Sequence, residues 1–308
     1  MRKFLIIFSV FLAFYFLFSN KKTVNVVPWE LKNDQGRTNI LLLGIGDAGH
    51  DGPNLTDTMI IASIKPASPS AVFLISIPRD LYLDSLNGKI NSAYGQGLDT
   101  AQTAVAEVTG LPIHYSVRVD FSAFEKIVDI LGGIDITVPN SFDDYQYPLD
   151  GKEMDLCSGD PAFACRYEHL HFDAGPQHLD GATALKFVRS RHAEGEEGTD
   201  FARSKRQQLI IKAVQIKIFS NETLLNPGKI LSIYNELKSH LDTNFDLSHP
   251  NELLKLALKY KNAQIKNIFL DTNLLDNPPE DSRGWILLPK TGNWDEVHKF
   301  IKDQLQNK

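Results

Sequence analysis

Three apolar runs near the start of the chain limit the fold more than any other feature: NILLLGIGDAG (39–49), DTMIIASIK (57–65) and AVFLISIPRD (71–80). Each is short and apolar at consecutive positions, the pattern of strands in the middle of a sheet covered on both faces. The first ends in glycines, which read as a sharp turn. Residues 99–108, DTAQTAVAEV, read as a helix opened by Asp99 or Thr100. HYSVRVDF (114–121) predicts a strand, FSAFEKIVDIL (121–131) a helix and GGIDITV (132–138) a strand. Strands alternating with helices indicate a layered α/β/α fold, with a central mixed sheet flanked by helices.

Residues 139–180 are rich in Pro, Gly, Asp and aromatics without clear period. They read as a long irregular insertion, a length that inside a compact domain is usually functional or mobile. A helix covers about 201–219, with Leu209, Ile210, Ala213, Val214 and Ile218 as its apolar face. Helices near 227–240 and 248–260, strands at 265–270 and near WILLPK (285–290), and a last helix at 294–305 follow.

The N-terminus points to a compartment. Residues 4–18, FLIIFSVFLAFYFLF, are apolar or aromatic apart from Ser9, and as a helix they are roughly 22 Å long against a roughly 30 Å hydrocarbon core. Signal cleavage wants small residues, and LFSNKK offers only Ser19, so 4–19 read as a retained single-pass anchor. Residues 1–3 are then a short cytoplasmic end, 20–36 a polar stalk, and 37–308 a water-soluble extracytoplasmic domain. The 38 acidic residues outnumber the 32 basic ones, and a net charge of −6 excludes a general nucleic-acid coat. In an exported chain Cys157 and Cys165, in CSGDPAFAC, read as a local disulfide. A zinc site completed by His169 and His171, or free thiols, are the alternatives.

Several polar residues could carry chemistry. Asp47 closes the first strand and Asp57 opens the second. Two such carboxylates suit a hard cation such as Mg²⁺, or are turn and strand-capping aspartates. Arg79 and Asp80, in SIPRD, follow a strand so apolar that they must face a cleft or solvent, with Lys89 nearby in KINSAY. Arg79 either grips phosphate with its planar fork or pairs with Asp80. The stretch FVRSRHAEGEEGTDFARSKRQQ (187–208) gathers arginines in an acidic chain. The run ALKFV is strand-like, and on a strand Arg189 and Arg191 share one face. Asp200, Arg203, Arg206 and Gln207 share one side of the following helix, near an N-terminus that favours anions. They form either an anion clamp or a set of ion pairs, while Glu194, Glu196 and Glu197 read as a solvated loop.

Taken together, these residues resemble the LytR-CpsA-Psr family. The resemblance runs from about Asn39 to Phe219 through seven ordered blocks: LLLGIGD (41–47), TDTMIIASI (56–64), ISIPRDLY (75–82), KINSAYGQG (89–97), VRVDFSAFEKIVDILGGIDITV (117–138), HLDGATALKFVRSRH (178–192) and DFARSKRQQ (200–208). Members are membrane-anchored extracytoplasmic enzymes that move a glycopolymer from a polyprenyl-pyrophosphate carrier onto peptidoglycan, forming a phosphodiester. The resemblance implies that Asp47 and Asp57 hold Mg²⁺ against the pyrophosphate. It implies that Arg79, Arg189 and Arg191 grip its oxygens, with Asp80, Lys89, Arg118, Arg206 and Gln207 also facing substrate. Asp200 and Arg203 would orient them, and Asp57 is the nearest general-base candidate. An apolar tunnel for the isoprenoid is expected beside Phe121, Phe124, Ile127 and Leu131, which also suit an ordinary core.

Leu55 departs from the pattern, since many members carry Arg two residues before the aspartate matching Asp57. The rival readings are a tethered, non-catalytic binder of lipid-linked precursor and a simple pyrophosphate hydrolase. A transcription regulator is disfavoured by the apolar anchor, the acidic balance and the absence of a helix-turn-helix signal.

Overall fold

A computed structural model describes residues 31–46, 54–149, 151–152, 154–245, 259–260, 263–279 and 282–306. The expected anchor (4–19), Asp47 and most of the expected helix at 248–260 lie outside the described residues. Among the described residues no helix is long and apolar enough to cross a membrane.

In chain order the elements begin with β1 (Thr38–Ile45), β2 (Thr56–Ile64), β3 (Ala71–Ser76), β4 (Tyr82–Leu83), β5 (Gly88–Lys89), α1 (Leu98–Thr109) and β6 (Tyr115–Asp120). Next come α2 (Phe121–Leu131), β7 (Ile134–Val138), β8 (Phe142–Pro148), β9 (Tyr167–Phe172), β10 (Gly175–Leu179), α3 (Gly181–Arg189), α4 (Asp200–Ile218) and α5 (Asn221–Leu224). The chain closes with α6 (Pro227–His240), β11 (Leu241–Thr243), β12 (Gln264–Phe269), β13 (Leu275–Asp276), β14 (Leu288–Pro289) and α7 (Asp295–Gln306). They fall into two compact units, one comprising residues up to Ile45, Asn54–Val119 and Ile233 onward, the other Gly46–Pro53 and Asp120–Ser232.

The first unit is built on a six-stranded sheet in the order β11-β6-β1-β2-β3-β12. β1, β2 and β3 are antiparallel neighbours, whereas β12 runs parallel to β3, so the sheet is mixed as expected. Register lines up Leu41, Ile61, Ile75 and Ile268 in one lateral row. The first three have no exposure, and burying each contributes about 1.5–3 kcal/mol. This face packs on α1 through Ala101, Ala104, Val105 and Val108, spaced at helical period, and on α7 through Val297, Ile301 and Leu305. Ile60 and Leu74 point the other way and are equally buried, which is why the runs read as apolar throughout. The expected strand at 285–290 shrinks to Leu288–Pro289, because Pro289 has no N–H to extend the ladder and Leu287 turns instead to Asp80 and Tyr82.

The second unit corrects two expectations. Residues 181–189, read as strand-like at ALKFV, are the helix α3. Asp180 caps its start by accepting from the Thr183 N–H, and Ala184, Leu185 and Phe187 turn inward. The local cap and helical spacing outweigh the short apolar run. Gly181 is needed because a Cβ there would lie 2.2 Å from the Glu125 carbonyl oxygen of α2. The insertion 139–180 is also more ordered than expected: β8 and β9 form an antiparallel hairpin, and β10 pairs with β7. Phe142, Phe172 and Phe187 join ring to ring at 5.1–5.9 Å. In α2, Phe121, Ile127 and Leu131 are buried and Phe124 is half-buried.

Candidate functional site

The loop leaving β3 carries the first cluster. The strand ends in an apolar run, so Arg79 and Asp80 emerge where the backbone turns, and the turn is held by Asn91 N–H on the Arg79 carbonyl and Leu287 N–H on that of Asp80. The Arg79 guanidinium bonds to the Asp57 carboxylate across from it on β2. Its Nε also lies 3.4 Å from Asp80 Oδ2, and Asp80 Oδ1 accepts from Lys89 Nζ at 2.8 Å. The Asp80 side chain is only 4% exposed, which is tolerable for a carboxylate because two cations flank it. Asp57 is the more open acid, at 25%. The structure shows the pairing of Arg79 with Asp80 and adds a second acid, Asp57.

The donor chemistry of this cluster fits Mg²⁺, which takes one or two carboxylates and fills its shell with phosphate oxygens and water. Asp57 is the described residue that suits it, since Asp80 is already held between Arg79 and Lys89. Arg118, expected to face substrate, sits on β6. It donates to the Tyr94 hydroxyl at 3.0 Å and to the His240 carbonyl at 3.0 Å. Tyr94 in turn donates to Asp242, and burial raises its phenol pKa above the usual value. Leu55, the expected departure from the pattern, is 40% exposed.

The arginine-rich segment lies in the second unit. Arg189 is the last residue of α3, and Ser190 then leaves the helix with extended backbone. The two-residue spacing therefore does not place Arg189 and Arg191 on one strand face. The Arg189 guanidinium lies over the rings of Phe121 (4.9 Å) and Tyr147 (5.6 Å), while Arg191 is exposed. In α4, Thr199 caps the first turn by accepting from the Ala202 N–H, so one of the N-terminal donors expected for an anion is already used.

Arg206 is 3% exposed and reaches inward. Its Nε donates to the Phe187 carbonyl, one terminal nitrogen to the Ser190 carbonyl, and the other to both the carbonyl and the carboxylate of Glu197. Burial lowers its pKa from the ordinary arginine value, partly offset by the negative charge of Glu197 and then of Asp144. The guanidinium also covers the Phe142 ring at 4.8 Å. Arg206 thus ties the loop together from within. Glu197, expected in solvent, is held by it, whereas Glu194 and Glu196 are exposed as expected. Arg203 is buried beside it and Gln207 is half-buried. Asp200 begins α4.

Asp144 was not singled out by the sequence, although it is fully buried beside this segment. A signal was present: strand alternation that turns Phe142 inward also turns Asp144 inward. Cys157 and Cys165 are joined in a disulfide, so their sulfurs cannot ligate zinc. His169 and His171 instead face the Asp143 carboxylate at 2.7 and 2.9 Å.

The chain is a mixed α/β protein in which each unit carries guanidinium groups held by carboxylates or aromatic rings. More specifically, the chain belongs to the LytR_cpsA_psr family, which it matches over residues 17–287. It is 30% identical over 249 residues to the polyisoprenyl-teichoic acid–peptidoglycan teichoic acid transferase TagU of Bacillus cereus (strain AH820), spanning 74% of this chain and 73% of that protein. Bacillus subtilis (strain 168) TagV, a transferase described in the same words, is 26% identical over 274 residues, 86% of this chain and 64% of that one. The crystal structure of B. subtilis TagV shares the fold, with a TM-score of 0.61 at 24% identity, covering 90% of this chain and all of that one. A structure of TagT bound to LI-WTA superposes with a TM-score of 0.60 at 22% identity, covering 91% and 94%.

Proposed function

We propose that this protein transfers a glycopolymer from a polyprenyl-pyrophosphate carrier onto peptidoglycan or another envelope acceptor, forming a phosphodiester. The observation that carries the reading is the shared use of Arg79 by Asp57 and Asp80, with Lys89 behind, in a chain whose relatives are named for such a transfer. An acceptor hydroxyl attacks the sugar-linked phosphorus, a new P–O bond forms, the bridging P–O bond breaks, and polyprenyl phosphate leaves with the electron pair. The hydroxyl proton passes to a base, for which Asp57 is the candidate.

Asp57 and Asp47 are the proposed carboxylate ligands of Mg²⁺, which when bound supplies Lewis-acid polarisation of phosphoryl oxygens. Arg79 offers a planar fork to phosphate oxygens. Asp80 and Lys89 keep that fork oriented. Arg189, Arg191, Arg203 and Gln207 are assigned to anionic substrate oxygens as well. The buried hydrogen bonds of Arg206 support a role in holding the loop that bears Arg191. Residues 4–19 are proposed to anchor the enzyme in the cell membrane, with the remainder extracytoplasmic.

The test follows release of polyprenyl monophosphate from a polyprenyl-pyrophosphate-linked glycan, with and without Mg²⁺ and peptidoglycan fragments. Metal-dependent release that falls at least about 10²-fold in Arg79→Ala and Asp57→Asn supports transfer. Release without acceptor makes the protein a hydrolase. Tight lipid binding without any release refutes the enzyme and leaves a tethered binder, with Leu55→Arg the first substitution to examine.

A further inference from the structure

The segment 187–194 is gripped from two sides, and the grip on one side is a single carboxylate. Asp144 has no exposure, and its Oδ2 accepts from the Ser190 hydroxyl (2.6 Å), the Arg191 N–H (3.1 Å) and the His192 N–H (3.2 Å). Its Oδ1 takes the Gln146 N–H at 3.0 Å. β8 and β9 lose register between Asp144 and Tyr147, a bulge that re-aims the strand at this point. Ala193 bridges to Asp144, and the Glu194 N–H donates to the Asp143 carbonyl, so the segment runs on as a short extra partner of β8. From the opposite side Arg206 donates to the Phe187 and Ser190 carbonyls. Gly198 closes the loop, since a Cβ there would lie 2.1 Å from the Ala193 carbonyl oxygen.

We propose that Asp144 is a positioning residue for anion binding, acting through Arg191. The proposal rests on the reading of Arg191 as a phosphate contact. The physical reason is directional. A buried carboxylate that accepts three donors from consecutive residues turns the Arg191 and His192 N–H groups and the Ser190 hydroxyl inward. The backbone there cannot then offer its N–H groups to an anion, and the exposed Arg191 side chain is left to do so from a fixed base. Arg206 fixes the start of the segment from the other side, because it holds the carbonyls of Phe187 and Ser190. A fork acts on phosphate only if its base is fixed, since orientation is most of what such a group contributes.

The experiment measures binding of inorganic pyrophosphate to the full chain by calorimetry, in Asp144→Asn, Arg191→Ala and the double variant. Asn keeps the shape but loses the charge, and sets an NH₂ against an N–H on one side of the former carboxylate. Each single change is expected to weaken binding about tenfold, and the double variant to be no weaker than the worse single one. Ser190→Ala removes one of the three Oδ2 donors and serves the same cycle if Asp144→Asn fails to fold. It should show the same coupling at smaller size. Unchanged binding in a folded Asp144→Asn protein, or losses that simply add, overturns the proposal, because a merely structural residue would lower the melting temperature without coupling to Arg191. If Arg191→Ala alone binds pyrophosphate as the parent does, the assignment of Arg191 fails first and the proposal falls with it.

Discussion

Replacing Arg206 by Met tests the account of the arginine-rich loop most directly. Met keeps an apolar stem that reaches as far as the arginine Nε but has no donor. The change leaves the carbonyls of Phe187, Ser190 and Glu197 without the bonds they accept and removes the cation beside Glu197. Phe187 and Ser190 are themselves fully buried, so water does not replace the donor without loosening the loop. An unsatisfied buried acceptor costs about 1–3 kcal/mol, and breaking a buried charge pair about 3–5 kcal/mol. The losses overlap, because partial opening of 190–198 relieves several at once, so the expected destabilisation is about 3–5 kcal/mol. That is a large part of a typical total of about 5–15 kcal/mol. Urea unfolding followed by far-ultraviolet circular dichroism would read it as a lowered midpoint. Hydrogen exchange should lose protection at residues 188–199. Glu197→Gln should cost much less, about 1 kcal/mol, because that side chain is 22% exposed and only one of the four bonds involves its charge. A change below about 1 kcal/mol for Arg206→Met, with exchange unaltered, would refute the view that this arginine braces the loop.

Gly181→Ala puts a methyl 2.2 Å from the Glu125 carbonyl, which is backbone and cannot swing aside, so a loss of about 1–3 kcal/mol is expected in the same unfolding assay. Glu222 makes ion pairs with Lys229 (2.6 Å) and Lys217 (2.9 Å), which hold its carboxyl at about 2 against an ordinary 4.5. Its folded value lies below its unfolded one, so the contribution is present above pH 4.5 and fades as pH falls toward 2. Thermal melts over that window should converge for the parent and Glu222→Gln, and a constant gap would refute the pairing.

Much of the fold is legible in the residues because the sheet's register row is written in them. Leu41, Ile61 and Ile75 lie in runs apolar at every position, and such runs are stable only between covering layers. The α2 helix is equally plain, opened by Asp120 and closed by Gly132 in the left-handed conformation that glycine adopts without strain. ALKFV misleads because four or five apolar residues fit either a strand or a helix. What settles it is Asp180, whose cap belongs to a different stretch of the pattern. The β8–β9 hairpin escapes notice for a related reason. Its strands face water on one side and carry His, Glu, Gln and Asp there, so their apolar alternation is broken.

The candidate site divides along the same line. Residue types alone determine that this chain carries carboxylates suited to a hard cation and arginines suited to phosphate, since those capacities belong to the functional groups whatever their surroundings. The ordered blocks further determine the family. Which arginine faces outward and which is consumed in bracing depends on distances between residues far apart in the chain. Arg206 and Arg191 look alike in FVRSRHAEGEEGTDFARSKRQQ. One is closed over Phe142 and four acceptors, and the other stands exposed on a backbone that Asp144, some 47 positions earlier, holds in place. Burial turns a guanidinium from a ligand-binding group into a structural one, and only tertiary structure assigns burial.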